Sequence, residues 1–151
     1  MSGSSTMTIR EMTAADMERV AALAGELGYP STLGQVAARY RTVRDHPDAR
    51  AYVASDASGR VQGWVHVYGR HHLESDGAAE IGGLVVASEC RGKGVGRALM
   101  GAAESWAREH GYERVRLGSS ILRIEAHDFY KRLGYSVVKT QHRFQKSLRE
   151  P

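Results

Sequence analysis

The sequence predicts a domain of the α/β or α+β class, in which helices and strands follow one another. Alternating apolar residues and apolar residues at 3.6-residue spacing replace each other several times along the chain, which is typical of such folds. The 151 residues, of which 42% are hydrophobic and 25% charged, suit one globular domain with its own core. A second independently folded domain is therefore not expected.

The first part of the chain predicts one strand and two helices. A short strand is predicted for residues 8–12. Thr13 and Asp16 have the spacing of a capping box, and an apolar helical stripe follows them as far as Gly28. A second helix is predicted for residues 32–44.

The middle of the chain predicts three strands. Residues 50–56 and 61–68 are rich in β-branched and aromatic residues on either side of a turn, which predicts a hairpin. Residues 79–86 predict a further strand with Gly82 and Gly83 in its interior. Glycine weakens a strand, and it often marks a bulge or a close approach of another molecule to the backbone.

The last part of the chain predicts two more helices with strands between and after them. An apolar stripe that begins at Val95 predicts a helix ended by Gly111, and residues 114–120 alternate as a strand. A short helix follows and ends at Gly134, and residues 135–148 predict a final pair of strands. The apolar stripe of that short helix consists of Ala126, Phe129, Tyr130 and Leu133.

The chain is mildly basic, with a net charge of +4 and an isoelectric point of about 9.4. The arginines are spread along the sequence, so a solvated basic surface is the favoured explanation. A phosphate-bearing small molecule is the sharper alternative, because arginine pairs with phosphate in a bidentate manner. No nucleic-acid partner is expected.

A single cysteine, Cys90, can form neither a disulfide within the chain nor a thiolate metal site. This favours a reducing compartment. The sequence has no membrane-spanning apolar run and does not start with the basic flank and apolar stretch of a signal peptide. A cytoplasmic protein with no membrane partner is therefore expected.

The segment from Arg91 to Arg97, Arg-Gly-Lys-Gly-Val-Gly-Arg, is the clearest candidate for a binding loop. It lies between a predicted strand and a predicted helix, so several backbone N–H groups point outward at the positive end of the helix dipole. Glycine lets phosphates approach such a loop closely. The segment matches neither the P-loop nor the G-x-G-x-x-G fingerprint, which disfavours ATP-type and dinucleotide chemistry.

Two motifs carry a resemblance to a known family. The loop motif R-x-x-G-x-G of residues 91–96 resembles the R/Q-x-x-G-x-G/A signature of the GNAT superfamily of N-acetyltransferases. The segment A-x-x-F-Y-x-x-x-G-Y of residues 126–135 is similar to the late A-x-x-F-Y-x-x-x-G-F/Y motif of that family. The order of elements agrees from Thr8 to Leu148, so the resemblance covers nearly the whole chain.

The resemblance implies a mixed, largely antiparallel and twisted sheet of six to seven strands, flanked by about four helices. Residues 1–7 are then expected to be a disordered N-terminal extension, and residues 8–151 a single N-acetyltransferase domain. Acetyl-CoA is the implied cosubstrate, bound in a split between the fourth and fifth strands, and no metal is implied. The implied acetyl-CoA-binding residues are Leu84, Val85, Val86, Arg91, Gly92, Lys93, Gly94, Val95, Gly96, Arg97 and Arg123.

The resemblance also implies direct acetyl transfer to a primary amine, with Tyr130 and Glu80 as catalytic residues. Tyr130 matches the tyrosine that protonates the leaving sulfur in many members, although its helical stripe also suits core packing. Glu80, 14 residues before Gly94, stands where some members carry a general base, while others use ordered water. A solvated carboxylate at a strand end is the alternative for Glu80. A backbone N–H near residues 83–85 is the expected donor to the oxyanion if the glycine pair marks a bulge.

Arg123 departs from the family pattern. Relatives commonly carry asparagine three residues before the alanine of the late motif, where it helps to hold the pantetheine or a neighbouring phosphate. Arg123 can pair with phosphate or lie on the surface, and both alternatives stay open.

The acceptor is expected to be the amine of a small molecule or a peptide, and a homodimer is implied only by the family. His66, His71 and His72 lack metal-ligand spacing, so no metal site is expected, and a loop that borders the acceptor is the alternative for this segment. A CoA-binding sensor that has lost catalysis and a nucleic-acid-binding domain are the rival functions.

Overall fold

The structure, a computed structural model, describes residues 6–149. The chain divides into two compact units, Met1–Gly118 and Ser119–Pro151, and each is described by itself. The predicted N-terminal extension falls mostly on residues 1–5, which lie outside the described residues. The expectation of one domain over residues 8–151 stays a prediction.

Five strands and four helices make up the described part of the chain. The strands are β1 (Thr8–Glu11), β2 (Ala49–Ser55), β3 (Val61–Arg70), β4 (Ala78–Val86) and β5 (Val115–Arg116). The helices are α1 (Met17–Glu26), α2 (Leu33–Asp45), α3 (Val95–Glu109) and α4 (Ile124–Arg132). Short 3₁₀ turns precede α1 at Ala14–Asp16 and α3 at Ser88–Cys90. Only α4 lies in the second unit.

The strands form one sheet in the order β1-β2-β3-β4-β5. The pairs β1–β2, β2–β3 and β3–β4 are antiparallel, whereas β4 and β5 are parallel. The mixed, largely antiparallel sheet that the sequence predicts is therefore confirmed. Its described part has five strands, fewer than the expected six to seven.

Helix α3 covers one face of the sheet. A side chain at Gly63 of β3 would lie 3.1 Å from a methyl carbon of Leu99 and 3.2 Å from one of Val95, so the helix approaches the strand at van der Waals distance. The core includes the seven largest fully buried side chains, Trp106, Leu23, Leu99, Met100, Val53, Val65 and Val67. No helix among residues 6–149 is long and apolar enough to cross a membrane.

The C-terminal strands differ most from the sequence prediction. Strand β5 contains only Val115 and Arg116 of the expected residues 114–120. In the described chain, residues 136–149 have neither helix nor strand structure. Their apolar side chains are exposed, with 70% of Val137 and 95% of Phe144 accessible. A period-2 pattern becomes a strand only where a neighbouring strand supplies backbone partners, and these residues form no such ladder.

A charge-assisted contact fixes the start of α1 against the first strand. Both oxygens of the Asp16 carboxylate accept hydrogen bonds at 2.8 Å from the Arg10 guanidinium. The same carboxylate accepts a bond at 2.8 Å from the backbone N–H of Thr13, as the capping-box spacing predicts. Asp16 is 6% exposed, and its bonds from Arg10 hold the pKa of the carboxyl below its usual value although burial opposes this.

Replacement of Asp16 by asparagine is expected to lower the free energy of unfolding by about 1.5–3 kcal/mol, because it leaves bonds to a charged partner unmade. In the native protein this stabilisation is complete above the unfolded-state pKa of about 3.9 and is lost as the pH falls through the lower folded pKa. Urea unfolding at neutral and acidic pH measures both effects.

The control is Asp45→Asn, which removes an exposed arginine–aspartate pair with Arg44. This variant should change stability little, because exposed pairs contribute little. Equal losses in the two variants would contradict the special role of Asp16.

Candidate active site

The glycine loop, Arg91–Arg97, joins the 3₁₀ turn after β4 to helix α3. Gly92 has a φ of 78° and Gly94 a φ of 84°, which is the left-handed region that favours glycine. Val95 is 2% exposed and anchors the end of the loop against the sheet. The backbone of the loop is therefore held in one conformation at the start of the helix.

The N-terminus of α3 has the features of an anion site. Gly94 is the N-cap residue, and no side chain accepts hydrogen bonds from the first turn. The N–H groups of that turn are oriented along the positive end of the helix dipole. Arg91, Lys93 and Arg97 are exposed, and none of them has an ion pair among residues 6–149. The loop and the first turn of α3 thus contain three exposed cationic residues next to uncapped backbone donors.

Strand β4 carries the bulge that its glycine pair predicts. Val67 of β3 pairs with Ile81, whereas the preceding His66 pairs with Gly83, so Gly82 is the extra residue. The register shift confirms the prediction of a bulge in this strand.

The parallel pairing of β4 with β5 stops just before this bulge. It consists of the pairs Ala79–Val115 and Glu80–Arg116. Beyond Glu80, within the described part of the first unit, β4 has no partner strand on the β5 side. Its backbone at Leu84, Val85 and Val86 is therefore free on that side to bind another molecule. Val85 is only 5% exposed, so a ligand there would contact its main chain and not its side chain.

Three rings on β3 form a feature that sequence reasoning did not identify as a group. Trp64, His66 and Tyr68 alternate along the strand and share one face of the sheet, here called the aromatic face. The imidazole and phenol centroids of His66 and Tyr68 are 5.3 Å apart. The signal was present in the sequence, as three rings at period 2 followed by a glycine pair on the next strand.

The glycine pair makes room for these rings. A Cβ on Gly82 would lie 2.5 Å from Nδ1 of His66, and a Cβ on Gly83 would lie 3.0 Å from the indole of Trp64. The rings therefore lean over the backbone of β4 at the bulge, where any other residue would push them away.

Glu80 lies on the same face as the three rings. Tyr68 and Glu80 are directly paired across β3 and β4, and directly paired residues of antiparallel strands point to one face. Glu80 is 7% exposed, so it is not a solvated carboxylate at a strand end. Its Oε1 lies 3.6 Å from Nη1 of Arg70, the last residue of β3, which compensates its charge.

Polar ring atoms on the aromatic face have no partner. The indole Nε1 of Trp64 is buried without a hydrogen bond among the described residues. Neither ring nitrogen of His66 has a hydrogen bond among them. Burial, assisted by the charge of His46, lowers the pKa of the His66 imidazole below its usual value, so the ring is neutral at neutral pH.

Tyr130 and Arg123 belong to the second unit, on and before α4. Tyr130 is half-buried, with ring centroids 5.1 Å from Phe129 and 6.0 Å from Tyr135. Burial raises the pKa of its hydroxyl, while the charge of Arg123 opposes the shift, so the phenol keeps its proton at neutral pH. Arg123 is exposed at the N-cap position of α4. The roles of both residues toward the first unit stay predictions.

The histidine-rich loop after β3 is held by hydrogen bonds within the protein. His71 Nε2 lies 3.3 Å from Asp48 Oδ2 and 3.1 Å from the hydroxyl of Tyr112, which itself donates to Asp48. Burial and the bond to Asp48 raise the pKa of Tyr112 to about 12. His72 faces Glu74 at 3.5 Å. In the part of the chain that the structure describes, no three His, Cys, Asp or Glu residues converge as metal ligands.

Comparison with known protein families assigns the chain. The family model described as "Acetyltransferase (GNAT) family" matches residues 16–135, which is most of the sequence. The chain belongs to the acetyltransferase (GNAT) family. The resemblance inferred from the glycine loop and the late motif is thereby confirmed, and so is the fold class.

Two relatives and one solved structure similar to this GNAT protein are named as N-acetyltransferases. It is 37% identical over 92 residues to an aminoalkylphosphonate N-acetyltransferase of Salmonella typhimurium, a match that covers 60% of this chain and 58% of that relative. It is 29% identical to an aminoglycoside N(6')-acetyltransferase of Stenotrophomonas maltophilia, over 87% of both chains. The solved structure of an aminoglycoside N-acetyltransferase in complex with CoA superposes with a TM-score of 0.85 at 19% identity, and 94% of this chain and 95% of that one are covered.

Proposed function

We propose that this GNAT protein transfers the acetyl group of acetyl-CoA directly to a primary amine of a small molecule or a peptide. The observation that carries the proposal is the glycine loop, where the uncapped N–H groups of α3 lie in the same short segment as three exposed cationic residues that have no ion pair among residues 6–149. The diphosphate of CoA is the anion that suits this loop, because each phosphate accepts several N–H bonds and pairs with arginine.

The backbone of β4 suits the pantetheine arm. After Glu80 the strand is unpaired on the β5 side in the described part of the first unit, so Leu84 to Val86 can bond an amide-bearing ligand as a strand would. The thioester then lies near the bulge at Gly82. Backbone N–H groups of residues 83–85 supply the donors that stabilise the negative charge of a tetrahedral intermediate.

The acceptor amine lies on the aromatic face in this proposal. Glu80 provides negative charge for an ammonium group, and the rings of Trp64 and Tyr68 provide apolar and cation-binding surface beside it. The relatives that acetylate aminoalkylphosphonates and aminoglycosides support a small-molecule amine, and a peptide amine is the second class. The motif match assigns Tyr130 as the acid that protonates the departing thiolate. A homodimer and a cytoplasmic location stay predictions.

Turnover with a panel of amines tests this function. Free thiol released from acetyl-CoA is measured with an aminoalkylphosphonate, an aminoglycoside, a polyamine, an amino acid and a lysine peptide, and the acetylated product is identified by mass. We expect at least one amine of the panel to be acetylated. Tight acetyl-CoA binding without turnover of any amine would instead establish the rival CoA-binding sensor.

Gly94→Asp is expected to weaken acetyl-CoA binding by at least tenfold, because it places a carboxylate beside the phosphates. Aspartate tolerates the left-handed conformation of this position better than most residues, so the variant is expected to fold. Calorimetry measures the affinity. The control is Gly101→Asp, which adds the same charge to α3 where a new side chain meets no atom within 4 Å. Similar affinities for the two variants would contradict the diphosphate assignment.

Tyr130→Phe is expected to lower kcat by about 10²-fold, the typical contribution of a general acid, and to leave the Kd of acetyl-CoA unchanged. Steady-state kinetics with the best amine of the panel and calorimetry with acetyl-CoA measure the two quantities. Because burial raises the pKa of this hydroxyl, the native enzyme should keep its donor over the whole neutral range. A variant with native kcat would remove Tyr130 from the mechanism.

A further inference from the structure

We propose that the imidazole of His66 is the base that takes the proton from the acceptor ammonium. The inference rests on the proposed acetyl transfer and names a residue that neither the motifs nor the relatives single out. Its basis is the position of the ring, which leans over the bulge of β4 at Gly82 and has no hydrogen-bond partner among residues 6–149.

The place of the ring is built by its neighbours. Gly82 has no side chain, and a Cβ there would lie 2.5 Å from Nδ1 of the imidazole. Trp64 and Tyr68 flank His66 on the same strand, and Tyr68 is 5.3 Å away between ring centroids. These contacts keep the imidazole on the face where the acceptor is proposed to bind.

Two unpartnered polar groups on this face point to a polar ligand. Buried donors and acceptors normally have partners, because an unmade hydrogen bond in the interior costs about 1–3 kcal/mol. Nε1 of Trp64 is buried and has none.

The chemistry requires a neutral base. An alkyl ammonium has a pKa near 10.4 and cannot attack until it loses a proton. In the proposed step the ammonium gives that proton to His66, which becomes imidazolium, and the nitrogen lone pair forms the N–C bond to the thioester carbon. The C–S bond then breaks, the thiolate takes one proton from the acid proposed for this step to give CoA thiol, and the second N–H proton of the new amide nitrogen passes through solvent to restore that acid. His66 finally returns its proton to solvent.

Glu80 is the competing base, as the sequence suggests. Its carboxylate faces Arg70 at 3.6 Å, so part of its charge is already used within the protein. In this arrangement the Glu80 carboxylate is better suited to attract the acceptor ammonium than to remove its proton. The charged and titratable groups around His66 are Tyr68 and Arg70 on its own strand, Glu80 on β4, and His46 after α2.

The test compares the pH dependence of kcat/KM in the native enzyme with that in His66→Asn, His66→Ala and Glu80→Gln. The probe amine is the one from the panel with the highest native kcat/KM. A base in the free enzyme produces a fall in rate on the acid side. We expect that limb to lie below pH 6.5 in the native enzyme, because the pKa of His66 is lowered, and to be absent in both His66 variants.

We also expect kcat/KM to fall about 10²-fold in the His66 variants, and added imidazole to restore activity in His66→Ala. The control His142→Asn removes an exposed histidine of the second unit and should keep the native rate and profile. Acetyl-CoA affinity, measured by calorimetry, should be native in all these variants.

Each remaining outcome overturns the inference. A native pH profile of kcat/KM in His66→Asn removes His66 from the step. If kcat/KM falls in His66→Ala, the acid limb is retained and imidazole does not restore activity, then His66 has only a packing role. Loss of the acid limb in Glu80→Gln alone gives the step to Glu80. These results leave the proposed function intact, whereas failure of the native enzyme to acetylate any amine overturns the function itself.

Discussion

The fit of three aromatic rings against two glycines determines how the rest of the first unit is arranged. The rings of Trp64 and His66 occupy the space above Gly83 and Gly82, so β4 can carry no side chains at these two positions. The extra residue at Gly82 bends the strand just after its pairing with β5 ends. One packing constraint therefore produces a bulge, an open strand edge and a polar aromatic surface at the same point of the sheet.

Strand β4 links the two halves of the proposed chemistry. Its C-terminal end leads into the glycine loop, where α3 offers uncapped N–H groups, and its N-terminal part presents Glu80 to the aromatic face. A ligand that bonds the backbone from residue 84 to residue 86 would extend along the strand, which rises about 3.3 Å per residue. In the proposed complex, a strand and not a loop would therefore set the spacing between phosphate and thioester.

Local patterns predicted most of the first unit, because its elements are defined by short-range chemistry. The Thr13–Asp16 cap and the bulge at the glycine pair both follow from backbone preferences of a few residues. The position of Glu80 was harder to predict, because its burial depends on Tyr68 and Arg70, which reach it only through the register of β3 and β4. The contact of the His66 ring with Gly82 was missed for the same reason.

Prediction was poorest at the C-terminal end. Residues 135–148 were predicted as a final pair of strands, but a strand exists only through its partner, and no pattern within these residues specifies one. The late motif predicted α4 and placed Tyr130 on it, since helical periodicity is a property of the segment itself. The confirmed family membership gives that tyrosine a candidate role that local structure alone does not supply.

The hydrogen-bonded group of Asp48, His71 and Tyr112 has a consequence for how the sheet opens. The N–H of Gly69 donates to the carbonyl of Asp48, and Gly69 pairs with Ala79, whose own N–H donates to the carbonyl of Arg114. The group therefore lies where β4 and β5 are joined. The two parallel strands are thus hydrogen-bonded at Ala79 and Glu80, and β4 has no β5 partner after these residues. A ligand that bonds the backbone of β4 after Glu80 would therefore not have to break any strand pairing of the described first unit.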